Sequence, residues 1–404
     1  MRIKIEKGTA KGRISAPPSK SMAHRLLISA ALADGVSTIR GVSKCEDVQA
    51  TLDCLYSLGV KTEILGDDVK IHGKDFSCAK ATAPLWCRES GSTLRFMIPI
   101  AMLSKNTIIF SGAPSLMARP MGVYAALAEE KGLDFIADGE TIVTRGPLSS
   151  GEYKLQGNVS SQFISGLLFA LPTLKGDSTI KITSSVESRS YINLTMKAIS
   201  EFGVKAEWLD DYTIKIPGGQ KYTSCDITVE GDFSGAAFPD AFNLLGGEVI
   251  IDGLSDSSVQ GDRVYKKHYE SIRSGIPSIH IGDCPDLGPI LFALSAAKQG
   301  GIFDGTRRLK IKESDRAEAM AEELKKFGAS VTVYDDTVVV YPCDFHAPSE
   351  ILKGHNDHRI VMSLAVLLTL FGGEIDGAEA IKKSYPAFFN DLRKLGIEVT
   401  EYEA

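Results

Sequence analysis

The sequence predicts an α/β protein with two similar domains of three repeats each, and three observations carry that prediction. At 404 residues and 43.5 kDa the chain is long enough for two or more domains, each able to bury a core. Its 44% apolar and 24% charged residues are globular proportions, which exclude a disordered, collagenous or coiled-coil chain. The third observation is an internal repeat. A helical segment ends at a glycine and is followed by an alternating strand, a tight turn and a second strand. The copies are LYSLGVKTEILGDDVKIHG around Gly59, LAEEKGLDFIADGETIVTRG around Gly132 and ISEFGVKAEWLDDYTIKIPG around Gly203, then SIRSGIPSIHIGD around Gly275, LKKFGASVTVYDDTVVVYP around Gly328 and LRKLGIEVTEYEA around Gly396.

These glycines are separated by 73, 71, 72, 53 and 68 residues, so the unit is about 70 residues and the fourth copy is cut short. Each glycine stands where a helix needs a left-handed stop, and Asp-Asp, Gly-Asp or Asp-Gly marks the turn between two strands. They shape the fold and carry no chemistry. Six units divide as three plus three, with a join near Val229-Glu230-Gly231-Asp232, where the third copy ends.

At the amino terminus Arg2, Ile3, Lys4, Ile5 and Glu6 alternate charge and isoleucine, the pattern of a half-buried strand and not of a signal peptide. The longest apolar run, Ile360 to Phe371, is interrupted by Ser363 and Thr369 and reads as a buried helix, so no membrane span is expected. Seven cysteines without a C-x-x-C pair point to reduced thiols in a cytoplasmic compartment. A net charge of −6 has the wrong sign for a bulk binder of nucleic acid or anionic membrane, so any anion site must be local.

Nucleotide-binding loops of the G-x-x-x-x-G-K-[ST] or G-x-G kind are absent, as is H-E-x-x-H. His355, Asp357 and His358 in HNDH have a spacing that could hold a metal, but solitary short pairs of this kind are usually structural, and no metal is expected. What stands out instead is a set of predicted helix starts. Pro17-Pro18-Ser19-Lys20-Ser21 opens a helix that carries Arg25, and Ser90-Gly91-Ser92 opens one that carries Arg95. Ser160-Ser161-Gln162 opens a third. Lys312-Glu313-Ser314-Asp315-Arg316, with Ser314 or Asp315 as cap, and Asn356-Asp357-His358-Arg359 open two more. Exposed N–H groups give each start partial positive charge, so a cation there is unfavourable by up to about 1 kcal/mol unless an anion accompanies it. Arg25, Arg95, Arg316 and Arg359 share that misfit, and it suggests an anionic ligand.

In order along the chain, PSKSMAHR, SGSTLR, the loop from Gly112-Ala113-Pro114 to Arg119-Pro120, NVSSQF, IKESDR, NDHR and Lys383-Ser384-Tyr385-Pro386 resemble the 5-enolpyruvylshikimate-3-phosphate synthases of the enolpyruvyl transferase family. The resemblance spans the whole chain. It implies the inside-out α/β fold of that family, two domains of three βαβαββ-type units with the active site in the cleft between them. The implied domains are 19–228, and 1–18 together with 229–404, and the site is complete only when a hinge shuts. The implied reaction transfers the carboxyvinyl group of phosphoenolpyruvate to the 5-hydroxyl of shikimate 3-phosphate and releases phosphate. No cofactor is implied; the partners are those two small molecules, with no nucleic acid and no membrane, acting on a monomer. Two substrates approaching −3 each and about 6 Å apart repel by on the order of 25 kcal/mol at an effective dielectric of about 20, so only a cationic site could gather them.

By the same resemblance Lys20, Gly91, Arg119, Gln162, Arg316, Arg359 and Lys383 surround phosphoenolpyruvate, with Arg95 and His358 in support. Lys20, Ser21, Arg25, Ser160, Ser161, Gln162, Ser188, Tyr191, Asp286 and Lys312 hold shikimate 3-phosphate. Asp286, Glu313 and Lys20 share the proton transfers, Asp286 at the attacking hydroxyl and Glu313, beside Lys20, at carbon; Glu313 needs a raised pKa for that work. UDP-N-acetylglucosamine enolpyruvyl transferases share the architecture but carry a reactive cysteine in a loop that here, Gly112 to Arg119, has none. A non-catalytic repeat scaffold that binds a polyanion is disfavoured by the acidic balance.

Three positions depart from the pattern: Glu89 stands for the usual Asn, Ser92 for Thr and Phe96 for Pro. Inhibition by glyphosate is implied by the resemblance, although Ser92 and Phe96 bear on it. Glu89 places a carboxylate near the expected phosphate and is expected to weaken its binding. Glu89→Asn should therefore lower KM for phosphoenolpyruvate, and an unchanged KM in steady-state assays would remove that role.

Overall fold

The structure is a computed structural model and describes residues 1–402. Its contacts divide the chain into two units, one formed by Lys20–Val229 and the other by Met1–Ser19 together with the segment from Glu230 onward. Each has its own apolar core.

One pattern builds both units: a pair of parallel strands with a helix leading into one of them, a second helix, and a hairpin that pairs back antiparallel. In Lys20–Val229 it occurs three times. Helices α1 (Lys20–Leu32) and α2 (Glu46–Ser57) accompany the sheet of Asp226–Thr228, Val36–Arg40, Asp68–His72 and Lys61–Leu65, paired in that order. Helices α3 (Gly91–Ala101), α4 (Pro114–Met117) and α5 (Gly122–Lys131) belong with Leu85–Trp86, Ile108–Ser111, Thr141–Arg145 and Asp134–Ala137. Helices α6 (Ser161–Ala170) and α7 (Arg189–Glu201) belong with Glu152–Leu155, Ser178–Ile182, Thr213–Ile216 and Glu207–Trp208.

The other unit repeats the pattern with one loss. Helices α8 (Phe233–Asp240) and α9 (Tyr265–Ser274) accompany only the parallel pair Lys11–Ser15 and Glu248–Asp252. Helices α10 (Gly288–Ala296) and α11 (Arg316–Lys325) go with Ser278–His280, Gly301–Asp304, Thr337–Val340 and Val331–Val333. Helices α12 (His358–Leu368) and α13 (Phe388–Lys394) go with Leu352–Lys353, Gly373–Asp376, Arg2–Ile5 and Val399–Tyr402.

Two expectations change. The strand after Gly275 does not close the fourth copy, because Ser278–His280 pairs parallel with Gly301–Asp304 of the next sheet. The fourth copy therefore lacks its whole hairpin. In the sixth copy only one hairpin strand follows Gly396, and the amino-terminal strand Arg2–Ile5 supplies the other, antiparallel to Val399–Tyr402. The chain closes its last repeat with its first residues.

Helices α3, α6, α10 and α12 are apolar on nearly every face, and all residues of α10 and α12 are buried. A helix apolar all round must be surrounded, so within each unit α3 packs along α6, α10 along α12, and the sheets lie outside with every second residue turned inward. Five of the repeat glycines stop their helices as expected, Gly59, Gly132, Gly203, Gly328 and Gly396 having φ between +64° and +85°, whereas Gly275 ends α9 at φ +154° and ψ −150°, outside the left-handed helical region. Gly231 serves closeness instead. A Cβ there would lie 2.4 Å from the Gly253 carbonyl oxygen, next to the point where Ser19 N–H donates to Glu230 O at 2.8 Å and Asp232 N–H to Pro17 O at 2.8 Å. Among the described residues no helix is long and apolar enough to cross a membrane.

Candidate active site

In the Lys20–Val229 unit four helix starts carry the expected residues. Lys20 opens α1 and pairs with Asp47 of α2 at 2.8 Å, with both side chains largely buried. Asp47 was not foreseen; acid in the first turn of α2 reads in sequence as an ordinary complement to the helix dipole. One turn into α1, Arg25 is 2% exposed and donates to Thr195 Oγ1 (2.8 Å), Ser21 O (2.6 Å) and Tyr191 O (3.1 Å). All three acceptors are uncharged. Burial, with no carboxylate alongside among the described residues, pulls the Arg25 pKa below its ordinary value. The guanidinium lies 5.0 Å from the Phe96 ring centroid, which gives the unusual phenylalanine a packing role.

Helix α3 is capped by Ser90, whose Oγ accepts from Thr93 N at 3.2 Å, a bond worth about 1 kcal/mol in typical helices. Its first residue, Gly91, admits no side chain: a Cβ would stand 2.9 Å from Arg119 Nη1, 3.4 Å from Arg95 Nη1 and 3.7 Å from Gln162 Oε1. Gly91, Arg95, Arg119 and Gln162, spread over 72 residues of sequence (91 to 162), thus meet at one point. Arg95 Nη1 donates to Gln162 Oε1 at 2.7 Å, and Gln162 Nε2 to Ser92 Oγ at 2.9 Å. Arg119 Nε and Nη2 are buried with no hydrogen-bond partner among the described residues, and each such group costs about 1–3 kcal/mol until an acceptor arrives. Ser160 caps α6, with Ser161 buried behind it, and Ser188, at φ +54°, precedes α7, whose Tyr191 gives its carbonyl to Arg25.

The second unit gathers the remaining residues about a buried charge cluster. Arg316, the first residue of α11 and 1% exposed, donates from Nε to Asp357 Oδ2 (2.7 Å), from Nη1 to Asp286 Oδ1 (2.8 Å) and from Nη2 to Glu313 Oε2 (2.6 Å). Burial opposes its charge, but Asp357, Glu313 and Asp286 outweigh that and hold its pKa well above the ordinary value. Asp286, in a short turn Pro285–Leu287, also accepts from Lys312 Nζ at 3.2 Å and Arg359 Nη2 at 3.1 Å. Burial pushes the Lys312 pKa down, and Asp286 only partly offsets it. Asp315 caps α11 and Asp357 caps α12, accepting Arg359 N at 2.9 Å; Lys383 Nζ donates to Asn356 O at 2.6 Å. His358 is 1% exposed beside Asp357.

The helix-start argument needs one correction. For Arg316 and Arg359 the compensating anions are the protein's own carboxylates, so their position alone does not call for a ligand. Arg25 does keep that demand, and Arg119, which stands at no helix start, adds its own through the unpartnered Nε and Nη2. The buried partners Asp47 and Thr195 had no local signal, because they lie 27 and 170 residues from the cations they serve.

Guanidinium nitrogens of Arg25 and Arg119 that are buried and meet no carboxylate among the described residues, set in a repeated α/β fold, define a protein that handles small, multiply charged anions. The chain belongs to the EPSP synthase (3-phosphoshikimate 1-carboxyvinyltransferase) family, whose sequence model matches residues 5–392. Relatives named 3-phosphoshikimate 1-carboxyvinyltransferase from Clostridium kluyveri and Clostridium novyi are 38% and 36% identical, each aligned over 99% of this chain and 98% of its own length. An EPSP synthase structure from Acinetobacter baumannii shares the fold with a TM-score of 0.78 at 24% identity, covering 99% of this chain and 100% of its own.

Proposed function

We propose that the protein transfers the carboxyvinyl group of phosphoenolpyruvate to the 5-hydroxyl of shikimate 3-phosphate. The hydroxyl oxygen bonds to C2 of phosphoenolpyruvate while the hydroxyl loses its proton and the C3 methylene gains one, giving a tetrahedral intermediate. Loss of phosphate and of a proton from the new methyl group restores the double bond. The reaction consumes no oxidant or reductant and calls for no cofactor.

Family membership over nearly the full chain supports this reading, and one structural observation carries it: the buried Arg25 guanidinium, bonded among the described residues only to uncharged groups, a cation matched to a substrate dianion. Lys20, Ser21, Arg25, Ser160, Ser161, Ser188, Tyr191 and Lys312 hold shikimate 3-phosphate. Gly91 and Arg119, with Lys20, Arg316, Arg359 and Lys383, hold phosphoenolpyruvate; Gln162, already bonded to Arg95, serves both, and His358 supports. Asp286 takes the hydroxyl proton, and Glu313 exchanges the proton with carbon with Lys20 assisting. An adjacent cation favours an ionised carboxylate, so the Arg316 bond to Glu313 must loosen when Glu313 carries its proton. The reduced thiols fit a cytoplasmic enzyme, and the proposed enzyme works as a monomer.

The test is phosphate release from phosphoenolpyruvate with shikimate 3-phosphate, with UDP-N-acetylglucosamine, and with neither. Release only with the first is expected; release with the second, or none at all, would overturn the reading. In the same assay Arg25→Ala should raise KM for shikimate 3-phosphate about 10- to 150-fold, the worth of hydrogen bonds to a charged group, and Arg25→Lys should not restore it.

A further inference from the structure

We propose that Glu323 and His355 are positioning residues for phosphoenolpyruvate, holding the strained turn from which Asp357, Arg359 and the Lys383-binding carbonyl of Asn356 are presented. The inference rests on the reading above and adds to it two residues remote from the expected ligand contacts. His355 and Asn356 are consecutive non-glycine residues in the left-handed region, at φ +48° and +53°. Such conformations persist only where surrounding contacts over-determine them.

One carboxylate supplies two of those contacts, to His355 and to the backbone of Lys353. Glu323 of α11 has no exposed surface. Its Oε1 accepts from His355 Nε2 at 2.8 Å and Lys326 Nζ at 3.1 Å, and its Oε2 from Lys353 N at 2.9 Å and Lys326 Nζ at 2.9 Å. Lys326 Nζ also donates to Ile351 O at 3.2 Å. Burial opposes the Glu323 charge, yet the bonds from His355, Lys326 and Lys353 N–H hold its pKa below the ordinary value. An ionised carboxylate only accepts, so His355 must carry its proton on Nε2.

Seven residues separate Glu323 from Arg316, about 10 Å along the helix. Helix α11 therefore braces the 351–357 segment on both sides of the turn, through Glu323 to Lys353 N and to His355, the first residue of the strained pair, and through Arg316 to Asp357 after it. Between them Asn356 O receives Lys383 Nζ at 2.6 Å. Releasing His355 would free the turn to leave its left-handed conformation and carry Asn356 O and the start of α12 with it. Glu322, Glu323 and His355 also have ligand atoms within 4.8 Å of one another, but the Lys326 ammonium already occupies the cation's place there.

His355→Ala, His355→Gly and His355→Gln separate the bond from the strain, because Gly adopts positive φ freely but has no donor, whereas Gln keeps an N–H. Expected is a rise of roughly tenfold in KM for phosphoenolpyruvate for both Ala and Gly, with kcat and KM for shikimate 3-phosphate nearly unchanged, and recovery in Gln. Glu323→Gln should shift the same KM. A wild-type KM in His355→Gly, or losses of kcat and thermal stability with no change in that KM, would overturn the proposal. Failure of the wild-type protein to release phosphate with shikimate 3-phosphate would instead reject the reaction itself.

Discussion

Arg316→Ala is expected to cost about 3–5 kcal/mol of stability, the penalty for breaking a buried ion pair from one side. The reason is arithmetic of partners. The Arg316 guanidinium serves three carboxylates, and Asp357 among them has no exposed surface. After the substitution Asp286 keeps Lys312 and Arg359, whereas Asp357 keeps Ser314 Oγ at 3.1 Å, the backbone N–H of Arg359 and His358 Nδ1 at 3.9 Å, with no lysine or arginine side chain on it among the described residues. A buried carboxylate without its cation takes up a proton or drags in water, and either loosens the start of α12. Urea unfolding of both proteins measures the difference. A loss below about 1 kcal/mol would mean that the cluster is not the buried, mutually dependent set its distances describe, since exposed pairs are worth that little.

Glu313→Gln is expected to lower kcat by about 10²–10⁴, the usual range for a positioned acid or base. Glutamine keeps an oxygen that can accept from Arg316 Nη2, now at 2.6 Å from Glu313, so the fold and both substrate affinities should survive. What it cannot do is carry a proton between solvent and carbon. Binding of both substrates by calorimetry, with turnover stalled in single-turnover kinetics, is the expected result. A kcat within about tenfold of wild type would move the proton transfer to Asp286 or Lys20.

Much of this protein was legible because its information is local. A glycine after a helix and an Asp-Gly or Asp-Asp turn between alternating strands act over a few residues, so the repeat and its hairpins could be read directly, as could the helix starts capped by Ser90, Ser160, Asp315 and Asp357. Where a strand pairs with one far away, local pattern fails. The strand after Gly275 looked like the end of the fourth copy, yet its partner is the next copy's Gly301–Asp304. The repeat pattern places both strands of the last hairpin after Gly396, yet one of them is Arg2–Ile5.

The same division runs through the candidate site. Sequence by itself determined which residue types open each helix and hence where cations sit relative to helix dipoles. Only the tertiary structure decided which of those cations are already matched: Arg316 by Asp286, Glu313 and Asp357, Arg359 by Asp286, and Arg25 by no carboxylate among the described residues. The physical reason is range. Caps, turns and periodicity are settled by neighbours within a turn or two, whereas charge compensation in a low-dielectric interior depends on whichever groups the folded chain brings within about 3 Å, however many residues separate them.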